Sequence, residues 1–469
     1  MSNPNLELAH TILGPASAMI RQSYMPVGDP LSTYLGNPTN RLFRPAAEPC
    51  YGDGKIFQVK TRRADSARGA RLATEDFKDG RNLSTAQVKL RYSDRDESLN
   101  DFHTVDTSAE VGHMELKAGP REEVALNIVE SVLMDLNEGV DESWARYIHM
   151  RATGSIGTVD GTPVNGDGID YASATTYTAG STDAIFKIAG FGADCLQPGM
   201  RLEARNTSGT LLADEMEVIR KNTEDDSVLV QLVTSGPNQS TVANLDSLAA
   251  NAVLYRSGEY NKGMKSSPSE WVAPGTASES FIGGVDRTTV GYAWMQPHVT
   301  RNSATSTTIK KAHLDAYFNA LGGLRGRNEP GSTYTPTLVM HASHEDTLRQ
   351  EIGEDAFTTV PANHDGMYNF GEEKLTYIHP VAGRIVLSSD SLAPKTEVRI
   401  YIPEDWVKQY YGFQGLDFMP GDAGMGMFKQ KAGATAGVGS KYFRAEAYEV
   451  GAYFCRRPER NGAIKNVTG

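Results

Sequence analysis

The stretch Pro120 to Ala152, PREEVALNIVESVLMDLNEGVDESWARYIHMRA, carries the decisive pattern of the chain. Val124, Ile128, Val132, Leu136 and Val140 recur every four residues, and Leu126, Val129 and Leu133 widen the stripe, so one face of a long helix is buried. Pro120 suits a first helical position; Glu122 and Glu123 match the positive end of the macrodipole, and Arg146, His149 and Arg151 its negative end. Gly139 marks a bend. At about 1.5 Å per residue the helix spans roughly 50 Å, against a diameter near 40 Å for a compact domain of about 150 residues. An elongated, flat subunit is expected.

On the N-terminal side, residues 1 to about 48 hold Pro26, Pro30, Pro38 and Pro45 and no sustained period, which predicts an extended arm that something must tie down. Two alternating runs follow, Lys55 to Thr61 and Gln87 to Tyr92, each with the period of a half-buried strand. About two dozen residues separate them, Arg63 to Ala86, which is long for a simple hairpin and predicts a projecting two-stranded arm. From Lys60 to Arg91 nine basic residues face four acidic ones. This is either a solvated basic loop or a basic arm laid on an acidic neighbour. The second reading makes Arg62, Arg63, Arg68, Arg71, Lys78 and Arg81 candidates for contact between subunits.

On the C-terminal side the pattern becomes β from residue 155 to about 281. Met200 to Arg205 alternates and meets the turn Asn206-Thr207-Ser208-Gly209, and further runs stand at Glu215 to Lys221, Val228 to Val233 and Ala252 to Tyr255. Short strands with polar turns predict a small barrel or sandwich inserted between two other elements. After Ile282-Gly283-Gly284-Val285-Asp286-Arg287 the chain is mixed. A helix is expected from about Thr308 to Leu321, stopped by Gly322 and Gly323, then a strand at Thr337 to Met340 and a helix capped by Ser343 with Asp346 three residues on. Apolar runs at Arg384 to Leu387 and Val398 to Ile402 predict strands, and Lys441 to Cys455 a long one ending at Arg456-Arg457-Pro458.

A chain of 469 residues with 39% hydrophobic and 22% charged residues can bury two or three cores, which excludes wholesale disorder. A net charge of −12 argues against gripping nucleic acid along a groove, although enclosing DNA behind a weakly repulsive wall is compatible with it. Cys50, Cys195 and Cys455 are too few and scattered for a disulfide framework or zinc site, which fits a reducing compartment. Neither a signal peptide nor an apolar run long enough for a membrane span is present, so assembly in solution is expected, with no membrane partner.

Chemistry-bearing patterns are weak. In Gly433 to Lys441 the Lys follows the Ser and a strand follows the Lys, so a flexible loop is expected rather than a phosphate cradle. His341, His344 and Glu345 lack zinc-hydrolase spacing, and Asp160, Asp167 and Asp170 lack the bidentate Glu of a calcium loop, which leaves a turn cluster. No nucleophile elbow appears. Catalytic, cofactor-binding and metal residues are therefore all read as none.

Taken in order, the arm, projecting loop, long helix, mixed body and closing strand resemble the major capsid proteins of tailed double-stranded-DNA phages. Val88 to Val111 followed by Pro120 to Gly154 resembles the extended loop feeding the spine helix, Ile282 to Arg287 the segment leading into the axial domain, and Phe443 to Pro458 the closing strand. The resemblance implies an α+β tailed-phage capsid fold: arm 1–48, extended loop 49–106, peripheral domain with spine helix 107–154, β-rich insertion 155–281, axial domain with peripheral returns 282–435, and C-terminal strand and tail 436–469. It implies a structural role without enzymatic activity, as hexamers and pentamers of itself forming an icosahedral shell in the virion. The shell would be assembled in the host cytoplasm around double-stranded DNA that is not bound sequence-specifically. With Met at position 1, removal of a leading scaffolding segment is not expected, and a separate scaffolding protein is, together with a portal and a decoration protein. An encapsulin-like compartment is the alternative within the fold, and a β-rich glycan-binding surface or tail protein the alternative outside it.

Overall fold

A computed structural model describes residues 38–43, 47–50, 52–60, 85–92, 101–112, 136, 139–165, 175–235, 239–273, 281–288, 295–301, 307–325, 336–352, 357–360, 374–379, 382–411, 417–418, 428–432 and 439–468. The fold is mixed, mostly strands with few helices. The chain divides into two compact units, each built from separated segments: 1–55, 91–145 and 407–453 form one, and 56–90, 146–406 and 454–469 the other. The first 37 residues, the stripe of the long helix before Leu136, and the tip of the basic loop lie outside the described residues.

In the first unit the sheet is organised by the 17-residue strand Gly439–Cys455. It pairs antiparallel with His103–Gly112 from Tyr442↔Gly112 to Gly451↔His103. Trp406–Tyr411 lies beside it and carries Ala47–Cys50 as a parallel outer strand. Aromatic edges fill the core, with the ring centroids of Phe43 and Trp144 standing 5.3 and 5.9 Å from that of Tyr453. Residues 139–149 are helical, and Leu136 and Val140 of the expected stripe are buried. The helix ends three residues short of Ala152. The Glu270 carboxylate accepts from the Ala152 N–H at 2.6 Å and from Arg151 at 3.0 Å, which diverts a donor that another helical turn would use.

The second unit holds a barrel and a mixed sheet. Strands β1 (Ser155–Asn165), β2 (Asp183–Gly190), β3 (Arg201–Arg205), β4 (Leu211–Asn222), β5 (Ser227–Leu232) and β6 (Val253–Arg256) pair in the order β6-β3-β4-β5-β2-β1, and β6 also pairs with β1. All these pairings are antiparallel, so the sheet closes on itself. Of the barrel and sandwich, the barrel is what forms. Register shifts at Asp160/Val164 and Leu229/Val230 bend the strands where closure needs curvature. Ile156, Phe186, Leu202, Met216, Val228 and Leu254 fill the core, as in small barrels whose interior is packed with side chains.

The mixed sheet runs β7 (His298–Arg301), β13 (Gly462–Lys465), β12 (Glu397–Tyr401), β8 (Thr337–Met340), β11 (Gly383–Ser389), β10 (Lys374–His379) and β9 (Phe357–Val360), parallel at β7/β13 and β8/β11 and antiparallel elsewhere. Two helices cover it, α1 (Lys311–Arg325) and α2 (Ala342–Ile352). Leu314, Tyr317, Phe318 and Leu321 of α1 and Leu348 of α2 pack on Leu338, Ile385, Ile400 and Ile464.

Two expectations need correcting. The first helix does not stop at Gly322 and Gly323 but continues to Arg325. A glycine costs about 1 kcal/mol in a helix without removing its N–H, and the buried Tyr317, Phe318 and Leu321 hold the preceding turn in place. Ser343 does not cap the second helix, which begins at Ala342. The His341 ring does this work, its Nδ1 accepting from the Ser343 N–H at 3.2 Å.

Candidate functional site

The contact candidates Arg62, Arg63, Arg68, Arg71, Lys78 and Arg81 lie outside the described residues, as do Asp167, Asp170 and residues 433–438 of the glycine-rich loop. Gly439, Ser440 and Lys441 open the long strand. Glu345 turns to Arg349 at 3.3 Å, away from any site with His341 and His344. Among the described residues no group of three or more His, Cys, Asp or Glu side chains could hold a metal ion. Cys50, Cys195 and Cys455 are buried free thiols. A polar cavity of about 590 Å³ is lined in part by Arg146, Arg201, Arg256 and Glu215, and two of its arginines are already paired, Arg201 with Glu215 and Arg256 with Glu259.

The main charged constellation joins the barrel to the mixed sheet within the second unit. Lys395, in the loop before β12, places Nζ 2.7 Å from Asp194 and 2.7 Å from Asp226, both on loops of the barrel module. Burial works against its charge, but the two carboxylates outweigh burial and hold the ammonium above its ordinary range. The Lys395 N–H also donates to the Gly190 carbonyl at the end of β2 (2.8 Å). His341 donates from Nε2 to Asp194 at 3.1 Å, because its Nδ1 is already taken as an acceptor.

A second cluster repeats this design at greater depth. Arg399, on β12, donates to His149 Nδ1 at 3.2 Å and to the His149 carbonyl at 2.9 Å. Arginine has no acceptor, so His149 is neutral and donates from Nε2 to Asp390 at 2.9 Å. Burial lowers its pKa, more than Asp390 raises it. Glu397 would be raised by burial, but Arg399 and Lys465 bring its carboxyl down to about 2. Burial likewise pushes His344 down to about 4. Among the described residues neither of its ring nitrogens meets a hydrogen-bond partner, and the side chain is fully buried.

The segment Ile282 to Arg287 forms a hairpin. Phe281–Ile282 pairs with Val285–Asp286, and Gly283 and Gly284 have φ of 59° and 77°, which the two central positions of this tight turn require. A Cβ at Gly283 would lie 2.4 Å from Val88 Cγ1, and its carbonyl accepts from the Lys89 N–H at 3.1 Å, so the hairpin seats the strand Thr85–Arg91. Arg287 follows, with no exposed surface. Its guanidinium donates to the carbonyls of Trp271 and Glu270, each at 3.0 Å, closing the C-terminal end of the short helix Pro268–Trp271.

In the first unit Lys408 is nearly buried, 3.1 Å from Glu449 Oε1 and 4.1 Å from the centre of the Trp144 ring. Trp144 Nε1 donates to Glu449 Oε2 at 2.6 Å. The carboxylate is thus paired, and the ammonium is stacked on an aromatic face. None of these ionic clusters was found by sequence reasoning. Their partners lie 147 residues apart for His341 and Asp194 and 305 apart for Trp144 and Glu449, so no local spacing announces them.

No family model and no curated protein matches the chain. Among solved structures it is similar to the capsid of cyanophage A-1(L), with a TM-score of 0.43 and 11% identity over 95% of this chain and 96% of that one. It is similar to the holo-SrpI encapsulin complex of Synechococcus elongatus, with a TM-score of 0.36 and 10% identity over 96% and 95%. A third likeness is to the capsid of Ralstonia phage GP4, with a TM-score of 0.35 and 12% identity over 90% and 86%. The solved structures to which this chain is similar are mostly tailed-phage capsid proteins, with an encapsulin among them.

Proposed function

We propose that this chain is a shell-forming capsid protein that assembles as hexamers and pentamers into an icosahedral container for double-stranded DNA. The observation that carries the reading is the order of elements: paired strands at Gly54–Lys60 and Thr85–Arg91, a helix ending at His149, a barrel spliced in from 155 to 256, the hairpin before Arg287, a mixed sheet with two helices, and a 17-residue closing strand. Apart from the barrel, which is an insertion, and the arm, which lies outside the described residues, this is the order on which the resemblance to capsid proteins rests. Repeated heterologous contacts close into a shell when their rotation closes, and many modest interfaces then hold each subunit at once. Purified protein under assembly conditions is expected to give closed shells by electron microscopy, with nuclease-protected DNA in particles from an infected host. Monodisperse particles of single-subunit mass under every condition would sink the reading. Shells carrying protein cargo and no DNA would move it to an encapsulin-like compartment.

The basic loop is the proposed contact between subunits. Changing Arg62, Arg63, Arg68 and Arg71 together to Ser is expected to lower shell yield in sedimentation while the circular dichroism of the unassembled subunit stays unchanged. Rim ion pairs contribute about 0.2 to 1 kcal/mol each, but a shell repeats the loss at every equivalent contact. An unchanged yield would make the loop a solvated decoration.

A further inference from the structure

We propose that the junction between the barrel and the mixed sheet is an acid-sensitive hinge, in which protonation of His344, seconded by His341, releases the barrel from the sheet as an intact module. The property belongs to the single subunit and goes beyond the shell reading. His344 is fully buried on α2, one turn after His341, and its ring faces the carbonyl of Lys395, the residue that holds the junction, and that of Val467; among the described residues neither meets hydrogen-bond geometry. An unpaired buried imidazole costs stability and is seldom kept without a use. Burial first and His341 second work against a proton there, and the two carbonyls only partly offset them.

Among the described residues, the charged groups acting on this pair belong to the junction. From the barrel come Asp194 and Asp226, with Lys221 reaching the Asp194 carbonyl oxygen at 3.4 Å. Lys395 comes from the loop before β12, and His341 and His344 from the start of α2. Asp194 would welcome a proton on His341, but burial first and Lys395 second oppose it, and the balance keeps the ring neutral. The deeper cluster of His149, Asp390, Arg399 and Glu397 answers in the same sense, since a proton on His149 Nδ1 would displace the Arg399 bond.

An opened junction exposes these rings at their ordinary pKa near 6.5, so it binds protons that the closed one refuses. The closed form is therefore fully favoured above about pH 6.5 and loses ground as the pH falls toward 4, where His344 itself titrates. Between pH 7 and 5 His344 alone raises the opening equilibrium about 20-fold. The barrel has its own closed hydrogen bonding and its own core, so release does not require that it unfold.

Amide hydrogen exchange on the unassembled subunit, corrected for the intrinsic rate at each pH, tests this. The amide of Lys395, which bonds across the junction to the Gly190 carbonyl, is expected to lose about 20-fold in protection from pH 7 to 5. The amides of Val218 and Val228 in the barrel should keep theirs. His344→Met, similar in bulk and unable to titrate, should flatten the profile, and His341→Gln should reduce its slope while retaining a donor to Asp194. A Lys395 amide equally protected at both pH values would overturn the proposal, as would barrel amides exchanging in step with it. If His344→Met does not fold, the wild-type profile and His341→Gln decide: a His341→Gln slope equal to that of the wild type overturns the part given to His341.

Discussion

Replacing Lys408 by Met is expected to cost the unassembled subunit about 3 to 5 kcal/mol, because it strands the Glu449 carboxylate away from water. Glu449 keeps only the Trp144 Nε1–H among its described partners, and one neutral donor does not replace an ammonium 3.1 Å away. Methionine preserves much of the packing against Trp144 and Tyr453, so the loss reports the charge rather than a cavity. Adding Glu449→Gln to this variant should recover about 2 kcal/mol, since the amide oxygen still accepts from Trp144 and no charge remains. Urea denaturation followed by tryptophan fluorescence measures both. A loss below about 1 kcal/mol for Lys408→Met would show that Glu449 does not depend on the ammonium.

Gly462→Ala is expected to be at least as damaging, for a reason of space. Gly462 is paired with His298 in the parallel ladder β7/β13, and a Cβ there would lie 1.8 Å from the His298 carbonyl oxygen and 2.8 Å from Tyr317 Oη. Backbone cannot give way as a flexible side chain does, so the two strands must separate, and Tyr317, fully buried on α1, is pushed with them. Overpacking of this kind costs about 3 kcal/mol or more. The expected result is a sharp fall in soluble yield and melting temperature. Gly180→Ala is the control: its φ is 85°, with nothing within 4 Å of a Cβ, so it should cost only the backbone strain of about 1 kcal/mol. Equal stability of the two variants would mean that β7 and β13 are not packed as described.

Much of the local structure was legible because it depends on spacing a few residues long. The strands expected at Met200 to Arg205, from its alternation, and at Thr337 to Met340 match Arg201–Arg205 and Thr337–Met340 almost residue for residue. Leu136 and Val140 are buried as the stripe required. Errors came where a side chain from elsewhere took over a local role. Ser343 has good capping chemistry, but the His341 ring reaches the same N–H. Glu270, 118 residues away, takes the amide of Ala152 and so ends the helix early.

The candidate sites were hidden for the same reason on a larger scale. With 58 acidic residues in the chain, nothing marks Asp194, Asp226 or Asp390 as different from the rest. By itself, then, the sequence placed strands at Arg201–Arg205 and Thr337–Met340, the buried side of the helix at Leu136 and Val140, and a β-rich stretch after residue 155. Only the tertiary structure decided that the module closes into a barrel, since closure pairs Val253 with Thr158 across nearly a hundred residues. It alone also decided which histidines are held neutral. Periodicity records how each residue sits relative to its own neighbours in sequence, whereas desolvation and ion pairing depend on groups that meet only when distant segments fold together.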